Sequence, residues 1–565
     1  MTPAASLHLL HYVQCILQNI EFESLKALHS CKDQRLAYFF AYIVAERRRK
    51  GSGSVTTNFG ETRIRNKIMK YSSRTFLFLL SLFPILQAKN EIPNISQIIV
   101  LMLENRSFDH MLGYLEGVDG VPKDQRILID PAFPSLGSLP VTSQSNDIAT
   151  DDPLHDYHST KLQINNGRMD GFVKTQLMSG HNLTNPISMF HYETAPIIHT
   201  LAKEYAVFDA WHASFPGPTD PNRAFAMSGT SLGTCTNFNG TLYPQQSYID
   251  YLNQNGHSAG GYYQTNLWFL GYFEDFKKPS NAAKIKELDE HFYKDLASGN
   301  LPEFTWLQPS ISVQGKMPAW QHPDASVMEG ERLLKKIYEA VRKSPNWEET
   351  VFIVTYDEHG GFYDHVAPPQ NVPPPDDHAC FDCKETYNFD SLGIRIPTVV
   401  VSPYISKGTV VSKGDGIQPV ENSAFDSTSL MATVNDLLKI PESVPPLGNR
   451  MKWASKFTNL FYDSKGLRKD CIETLPELPP PPHFKEVVKQ RGKEINEHLF
   501  ASMLFFCKQN YGHEFTENEL CPAARHKDKN QGSASDWILE EQEKYFRQRQ
   551  MLFEIETKQS LRRSF

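Results

Sequence analysis

The sequence carries no strong excess of charge of one sign. Its 57 Lys and Arg residues nearly balance 65 Asp and Glu residues, so the formal net charge is -8 over 565 residues. No basic stripe stands out from the rest of the chain, so electrostatics give no support to nucleic-acid binding. No internal repeat is present. Hydrophobic residues make up 40% and charged residues 22%, a globular composition that predicts one large domain with an appendage.

Long hydrophobic runs are also missing. The apolar run 75–86 is too short for a comfortable membrane span and contains Pro84. Basic residues precede the run and a small residue follows it, which is the pattern of a secretory signal peptide over 69–88. We therefore predict a secreted protein, or one in the lumen of the secretory pathway. Residues 1–68 are expected to be a disordered extension or a mispredicted start. The alternative to a signal peptide at 69–88 is a signal anchor or a buried core helix.

The cysteines complete no zinc-binding pattern. Cys380 and Cys383 form a CxxC pair, but no second CxxC and no nearby pair of histidines accompanies it, so a disulfide is favoured. Three glycosylation sequons, at Asn94, Asn182 and Asn239, agree weakly with a secreted glycoprotein. The cysteines that would remain after signal cleavage form an even set, which suits an oxidising compartment: Cys235, Cys380, Cys383, Cys471, Cys507 and Cys521.

Short apolar runs are separated by helical patterns in the middle of the chain. Gln97–Leu103, Val351–Tyr356 and Thr398–Ser402 are rich in β-branched residues and predict central strands buried on both faces. Residues 327–342 place apolar side chains at helical spacing. Strands separated by helices indicate an α/β fold with a mostly parallel central sheet that helices cover on both sides.

A proline-rich segment at 476–483 predicts a domain boundary. It is a stiff spacer between a catalytic domain, 89–475, and a helical C-terminal region, 484–565. Within that region, Asp536–Glu556 has the pattern of a charged helix with an apolar stripe. We expect a helical cap on the main domain; transient contact with a membrane surface is the less favoured alternative, because the helix has mixed charge.

Polar side chains directly follow two of the predicted core strands. Glu104-Asn105 comes after the first strand and Asp357-Glu358 after the second. In parallel sheets, catalytic groups collect at the carboxyl ends of the strands. Carboxylate and amide oxygens suit a hard cation such as Mg²⁺, Ca²⁺ or Mn²⁺. A structural role is the alternative, in which Ser107 caps a helix.

Thr219 is the candidate nucleophile. It follows a Pro-Gly-Pro segment, and we expect this rigid turn to hold its hydroxyl outward. A threonine hydroxyl needs a base or a metal for activation. His155 and His322 are candidates for binding phosphate or protonating a leaving alcohol, although the chain has 20 histidines.

Five motifs then make a family resemblance visible. ENRSFDH, DPxH, TxPNR, HP and TYDEHGGFYDHV occur in this order between about Gln97 and about Leu438. They resemble the phosphoesterase family of bacterial phospholipases C, plant non-specific phospholipases C and a bacterial acid phosphatase. The resemblance implies an alkaline-phosphatase-like α/β sandwich, with a metal at the strand ends and a transiently phosphorylated nucleophile. It implies that the nucleophile is Thr219, that the metal or phosphate ligands are Glu104, Asn105, Asp357 and Glu358, and that the family's histidines are His155 and His322.

Two positions depart from the family pattern. Ala325 and Ser427 stand where many members have histidine. The nucleophile and the acidic residues are intact, so we expect an active enzyme whose rate or head-group preference differs. Phospholipase C-like hydrolysis is the leading hypothesis; a soluble-phosphomonoester phosphatase and an inactive secreted binding glycoprotein are the alternatives. The sulfatase-type Cys/Ser-x-Pro-x-Arg signature is absent.

Overall fold

The computed structural model describes residues 92–238, 240–462, 466–511 and 530–563. The predicted extension 1–68 and signal peptide 69–88, together with Asn239 and Cys521, lie outside the described residues. The described ranges contain twelve strands. These are β1 (Gln97–Leu103), β2 (Arg126–Leu128), β3 (Ser138–Pro140), β4 (Ala206–Phe208), β5 (Trp211–His212), β6 (Ala259–Tyr263), β7 (Ile285–Glu287), β8 (Phe304–Gln308), β9 (Thr350–Tyr356), β10 (Thr398–Val401), β11 (Thr409–Val411) and β12 (Phe425–Asp426).

Eight of these strands form one central sheet in the order β11-β4-β10-β9-β1-β8-β6-β7. Strands β9 and β8 pair with β1 in parallel, whereas β10 pairs antiparallel with both β9 and β4. Every residue of β1 and β9 is buried, as their continuous apolar sequence requires for strands covered on both faces. The predicted α/β class and mostly parallel sheet are confirmed. Strand β10 is the exception, and the connection 357–397 that leads to it contains no helix.

Fifteen α-helices occur in the described ranges. They are α1 (Phe108–Leu112), α2 (Tyr157–Ile164), α3 (Phe172–Ser179), α4 (Pro196–Glu204), α5 (Thr219–Ser228), α6 (Tyr248–Gln254), α7 (Pro279–Ala282), α8 (Tyr293–Ala297), α9 (Val327–Arg342), α10 (Ser427–Leu437), α11 (Gly448–Trp453), α12 (Asn459–Tyr462), α13 (Phe484–Arg491), α14 (Glu497–Tyr511) and α15 (Gln531–Arg563). Helix α9 has the predicted bounds, and its N-terminus is capped by Ser326, whose side chain accepts a hydrogen bond from the Glu329 N–H.

The C-terminal helices pack onto the main core. Phe505 and Phe506 of α14 and Trp537, Ile538 and Tyr545 of α15 are buried, and they belong to the same hydrophobic cluster as β1 and β9. The apolar stripe of α15 is therefore covered by protein over this stretch, as expected for a helical cap. No helix in the described ranges has an apolar stretch long enough to cross a membrane.

Candidate active site

The two acidic motifs meet because their strands are neighbours in register. Leu103 of β1 pairs with Tyr356 of β9 in the parallel sheet, so the residues that follow each strand emerge side by side. The Asn105 N–H donates a hydrogen bond to Asp357 Oδ1 at 3.0 Å. The sheet thereby brings together the oxygen-rich group, which we define as Glu104, Asn105, Asp357 and Glu358, and all four residues are fully buried.

A close backbone contact fixes the position of Asn105. Asn105 has a φ of 55°, and Gly360 on the opposing loop has a φ of 63°. A Cβ atom at Gly360 would lie 2.0 Å from the Asn105 carbonyl oxygen. Glycine is required there for both reasons. Gly361 also approaches protein backbone closely, since a Cβ atom there would lie 2.6 Å from the Leu154 carbonyl oxygen.

Thr219 is the first residue of helix α5, with Pro218 at the N-cap. The sequence predicted that a rigid turn holds the Thr219 hydroxyl; in the structure, the N-terminus of a helix holds it. The Thr219 hydroxyl donates towards Asn105 Oδ1 at 3.1 Å and Glu104 Oε2 at 3.3 Å. Its side chain is buried against the oxygen-rich group, and the start of α5 is a favourable place for an anion.

Arg223 lies one turn after Thr219 on α5 and bridges the acidic residues. Its Nε donates to Glu104 Oε1 at 2.8 Å and to Asp357 Oδ2 at 3.0 Å. Its guanidinium lies over the Trp268 ring, 4.5 Å from the centroid. Burial, followed by repulsion from Asp357, raises the pKa of Glu104 well above its usual range in spite of Arg223. Arg223 stands in the TxPNR motif, but no role for its side chain was predicted from the sequence.

The oxygen-rich group fits a hard cation. The Oε2 atom of Glu358 accepts a hydrogen bond from the Gly360 N–H, whereas its Oε1 atom is buried with no hydrogen-bond partner. When all three are ionised, the carboxylates of Glu104, Asp357 and Glu358 carry three negative charges, of which Arg223 and a protonated His155 offset at most two. Buried charge of this kind must be neutralised by protons or by a cation.

His155 borders the oxygen-rich group. Its Nδ1–H donates to the Pro153 carbonyl at 2.7 Å, so Nε2 faces Asn105 Nδ2 at 3.4 Å and Glu358 Oε1 at 3.9 Å. Burial disfavours the imidazolium, but Glu358 and Asp152 outweigh it and raise the pKa of His155 well above its usual value.

His322 also lies close to Glu104 in the same centre. Its Nδ1 is 2.7 Å from Asp324 Oδ1, and its ring stacks on Trp320 with centroids 4.4 Å apart. Burial opposes the charged form, but Asp152 and Asp324 together raise the pKa of His322. Its candidate ligand nitrogen lies within 4.8 Å of a Glu104 carboxylate oxygen. The fold thus brings all seven predicted site residues into one centre.

A cavity of about 570 Å³ opens beside His155 and Pro218, the residue before Thr219. Its walls include Asp152, His155, Tyr157, Pro218, Asn237 and Glu497. A volume of this size is within the range of small-molecule sites.

Comparison with known proteins identifies the family. The sequence profile described as the Phosphoesterase family matches residues 95–441. The chain belongs to this family. Membership makes it a hydrolase of phosphoric esters and confirms the resemblance inferred from the motifs.

Similar proteins carry phospholipase names. Non-specific phospholipase C6 of Arabidopsis thaliana is 36% identical over 403 residues, which cover 68% of this chain and 76% of that protein. Non-specific phospholipase C1 of the same plant is 35% identical over 401 residues, covering 68% and 74%. Hemolytic phospholipase C of Pseudomonas aeruginosa is 26% identical over 413 residues, covering 60% and 52%.

Solved structures match this phosphoesterase only weakly. A protein in the alkaline phosphatase superfamily from Vibrio parahaemolyticus has a TM-score of 0.29 at 12% identity and covers 64% of this chain and 70% of that one. The lipoteichoic acid synthase LtaP from Listeria monocytogenes also has a TM-score of 0.29 at 12% identity, with 66% and 83% covered. Scores this low carry no argument about the site.

The sequence analysis missed two residues of this phosphoesterase, Glu497 and His498 at the start of α14. Glu497 Oε1 is 3.7 Å from His155 Nε2. The His498 ring is buried, with centroids 5.2 Å from His322 and 5.3 Å from Trp320. Burial lowers the pKa of His498 to about 3. Both residues lie beyond the proline-rich segment and outside the matched motifs, so no sequence signal marked them.

The two departures from the family pattern occupy buried positions. Ala325 is fully buried, and its N–H donates to the His322 carbonyl. Ser427 begins α10, and its buried Oγ has no hydrogen-bond partner in the described residues.

The remaining charged motif residues of this phosphoesterase have structural partners. Arg395 donates to Asp109 Oδ1 and to Asp364 Oδ1, each at 2.9 Å. His365 Nδ1 is 2.7 Å from Asp109 Oδ2. Ser107 caps α1 by accepting from the His110 N–H. The capping interpretation of ENRSFDH therefore holds for its second half, while Glu104 and Asn105 face the site.

Proposed function

We propose that this chain is a phospholipase C that cleaves the glycerol-side P–O bond of a phospholipid. The products are diacylglycerol and a phosphorylated head group. The observation that carries the proposal is the Thr219 hydroxyl, which lies at the start of α5 between Asn105 Oδ1 and Glu104 Oε2. The phospholipase names of the plant relatives support the substrate class.

Thr219 attacks phosphorus in the first half of the reaction. Of the two oxygens near its hydroxyl, only the carboxylate of Glu104 can take up the proton. The threonine O–P bond forms as the glycerol-side P–O bond breaks, which yields phosphothreonine and an alkoxide. In the second half, water gives a proton to His155 and attacks phosphorus, the threonine O–P bond breaks, and Glu104 returns its proton to the Thr219 oxygen as the phosphorylated head group leaves.

His155 protonates the leaving alkoxide in this scheme. It lines the cavity, and the neighbouring carboxylates that raise its pKa favour the protonated form. His322 is the second candidate for contacting phosphate. The backbone N–H groups at the start of α5 favour the negative charge of the phosphoryl group. Glu104, Asn105, Asp357 and Glu358 would hold a divalent cation such as Mg²⁺, Ca²⁺ or Mn²⁺, which would supply electrostatic stabilisation of developing negative charge on oxygen.

The test compares Thr219→Ala with Thr219→Ser on phosphatidylcholine in mixed micelles and on a soluble aryl phosphate. We expect the wild type to release diacylglycerol, Thr219→Ala to lose about 10⁴-fold in kcat or more, and Thr219→Ser to retain part of the activity. Acid quenching is expected to trap protein-bound phosphate in the wild type and none in Thr219→Ala. Dialysis against a chelator is expected to abolish turnover, and the added cation that restores it identifies the metal.

Other outcomes of that test select the alternatives. A strong preference for the aryl monoester refutes the lipase assignment in favour of a phosphatase with the same nucleophile. If neither the wild type nor Thr219→Ala hydrolyses any phosphoester tried, the chain is a binding glycoprotein.

We also propose that the mature chain is a secreted glycoprotein. The Cys380–Cys383 disulfide and the exposed positions of Asn94 and Asn182 support this proposal. Expression in a secretory host is expected to give a mature chain that begins near Lys89, with a mobility shift on glycosidase treatment. Retention in the cytosol with an intact signal segment contradicts it.

A further inference from the structure

A second group of potential ligands lies next to the oxygen-rich group. Glu104, His322 and His498 each offer one ligand atom, and the three atoms lie within 4.8 Å of one another. All three side chains are buried. We call them the imidazole group. Glu104 is shared between the two groups, whereas the two histidines reach the centre from separate parts of the chain, the loop before α9 and the start of α14.

The imidazole nitrogens lack protein partners in the described residues. His322 Nε2 and both ring nitrogens of His498 are buried without a hydrogen bond. The nearest carboxylates, Asp152 Oδ2 for His322 and Glu497 Oε1 for His498, lie at 3.6 Å and 3.4 Å from the respective Nε2 atoms. Buried polar atoms are normally paired, because an unpaired one loses its hydrogen bonds to water without replacement. Unpaired nitrogens that converge on a carboxylate indicate a ligand.

His322 is oriented in the way that metal-binding histidines are oriented. Its Nδ1 bonds to Asp324 Oδ1, which directs Nε2 into the centre. A carboxylate behind an imidazole fixes the ring and increases its basicity towards a metal.

The C-terminal region builds this arrangement. Asp324 Oδ2 accepts hydrogen bonds from Asn496 Nδ2 at 3.0 Å and from Gln531 Nε2 at 2.8 Å. The Asp324 carbonyl accepts from Gln490 Nε2 at 2.9 Å. Residues next to or within α13, α14 and α15 thus hold the carboxylate that orients His322, while α14 contributes His498. The appendage is part of the reaction centre.

We propose that the imidazole group binds a second divalent cation with the ligand preference of Zn²⁺. Two imidazole nitrogens and one carboxylate oxygen are a three-ligand set typical of zinc sites that keep an open position, whereas the oxygen-rich group suits Mg²⁺, Ca²⁺ or Mn²⁺. This inference rests on the proposed reaction centre but not on its substrate.

Cobalt binding to the full chain tests the proposal without turnover. Co²⁺ replaces Zn²⁺ in nitrogen-containing sites and absorbs visible light there. After chelator treatment, we expect the wild type to bind two equivalents of Co²⁺ with a visible absorption band. His498→Gln is expected to bind one equivalent and to lose the band. His291→Gln, at a half-exposed histidine on another part of the surface, is the matched control and keeps both.

Thr219→Ala separates this proposal from the proposed function. It is expected to keep both equivalents and the band although it loses hydrolysis. If Thr219→Ala loses hydrolysis but His498→Gln binds as much Co²⁺ as the wild type, the proposed nucleophile stands and the second cation site is refuted. If the wild type binds Co²⁺ at two sites but Thr219→Ala hydrolyses substrate as fast as the wild type, the second cation site stands and Thr219 is not the nucleophile.

X-ray absorption of the zinc-loaded wild type gives an answer even if His498→Gln fails to fold. Imidazole scattering around zinc is expected. A shell of oxygen atoms alone refutes the imidazole group as a metal site, and in that case the two histidines contact phosphate or water instead.

Discussion

Replacing Gly360 by Ala isolates the contact that holds Asn105 in place. The new Cβ would lie 2.0 Å from the Asn105 carbonyl oxygen and 2.8 Å from its Cβ. Real Cβ contacts do not come that close, so the Asn105 backbone must move by about 1 Å to regain van der Waals contact. Asn105 Oδ1 would move with it, away from the Thr219 hydroxyl that it now contacts at 3.1 Å.

Two separate effects set the magnitude. A φ of 63° strains alanine by about 1–2 kcal/mol, which lowers the free energy of unfolding. Displacement of a catalytic group by 1 Å reduces the rate by about 10²-fold, which corresponds to about 2.7 kcal/mol in the activation barrier. The rate is therefore expected to fall by much more than the small loss in the free energy of unfolding would cause.

The assay measures kcat/KM with a soluble aryl phosphodiester and the free energy of unfolding with urea. Gly180→Ala is the matched control, because Gly180 has a left-handed φ of 70° at the end of α3 but no atom within 4 Å of its Cβ position. This control is expected to lose about 1 kcal/mol of stability and no activity. If Gly360→Ala keeps the kcat/KM of the control, the contact with Asn105 does not position the site and the reasoning is wrong.

Three other substitutions test separate features. Arg223→Met leaves the buried carboxylates of Glu104 and Asp357 without their guanidinium, and urea denaturation is expected to show a loss of about 3–5 kcal/mol; a loss below about 1 kcal/mol contradicts the bridge. Burial raises the pKa of Glu331 from its usual 4.5 to about 8, so its stabilising contribution is complete below pH 4.5 and is lost as pH rises to 8, by about 5 kcal/mol. Between pH 5 and 8, the melting temperature of Glu331→Gln is expected to fall less than that of the wild type. If the two melting temperatures fall in parallel with pH, this prediction is refuted. Phe381 is 68% exposed inside the CxxC disulfide loop, whose second cysteine lines the cavity; Phe381→Ala is expected to raise KM for micellar lipid several-fold and leave KM for a soluble substrate unchanged, whereas equal effects on both contradict a contact with the lipid surface.

Local sequence patterns were enough for the core of the sheet. The continuous apolar runs of β1 and β9 and the helical spacing of α9 depend on neighbouring residues, and their predicted bounds agree with the structure to within one residue. The antiparallel direction of β10 could not be predicted from neighbouring residues. An apolar strand has the same composition in either direction, and pairing is decided by how the loop before it packs.

The candidate site was only partly predictable. Glu104 and Asp357 could be placed together because parallel strands end at the same edge of a sheet. Arg223 stood in a quoted motif, yet its role became visible only when α5 placed it between those two carboxylates. The role predicted for Thr219 rested on both its local chemistry and the resemblance to a family, whereas composition alone singled out neither His155 nor His322.

The sequence by itself determined the α/β class, the strands that end in acidic residues and the membership of a phosphoesterase family, because each is carried by neighbouring residues or by motifs of neighbouring residues. Only the tertiary structure decided that Glu497 and His498, beyond the proline-rich segment, belong to the same centre as Thr219. The physical reason is that a contact between distant segments is set by packing of the whole core. Helix α14 reaches Glu104 because its apolar face is buried against the catalytic domain, and no local pattern in the chain specifies which surface that face will cover.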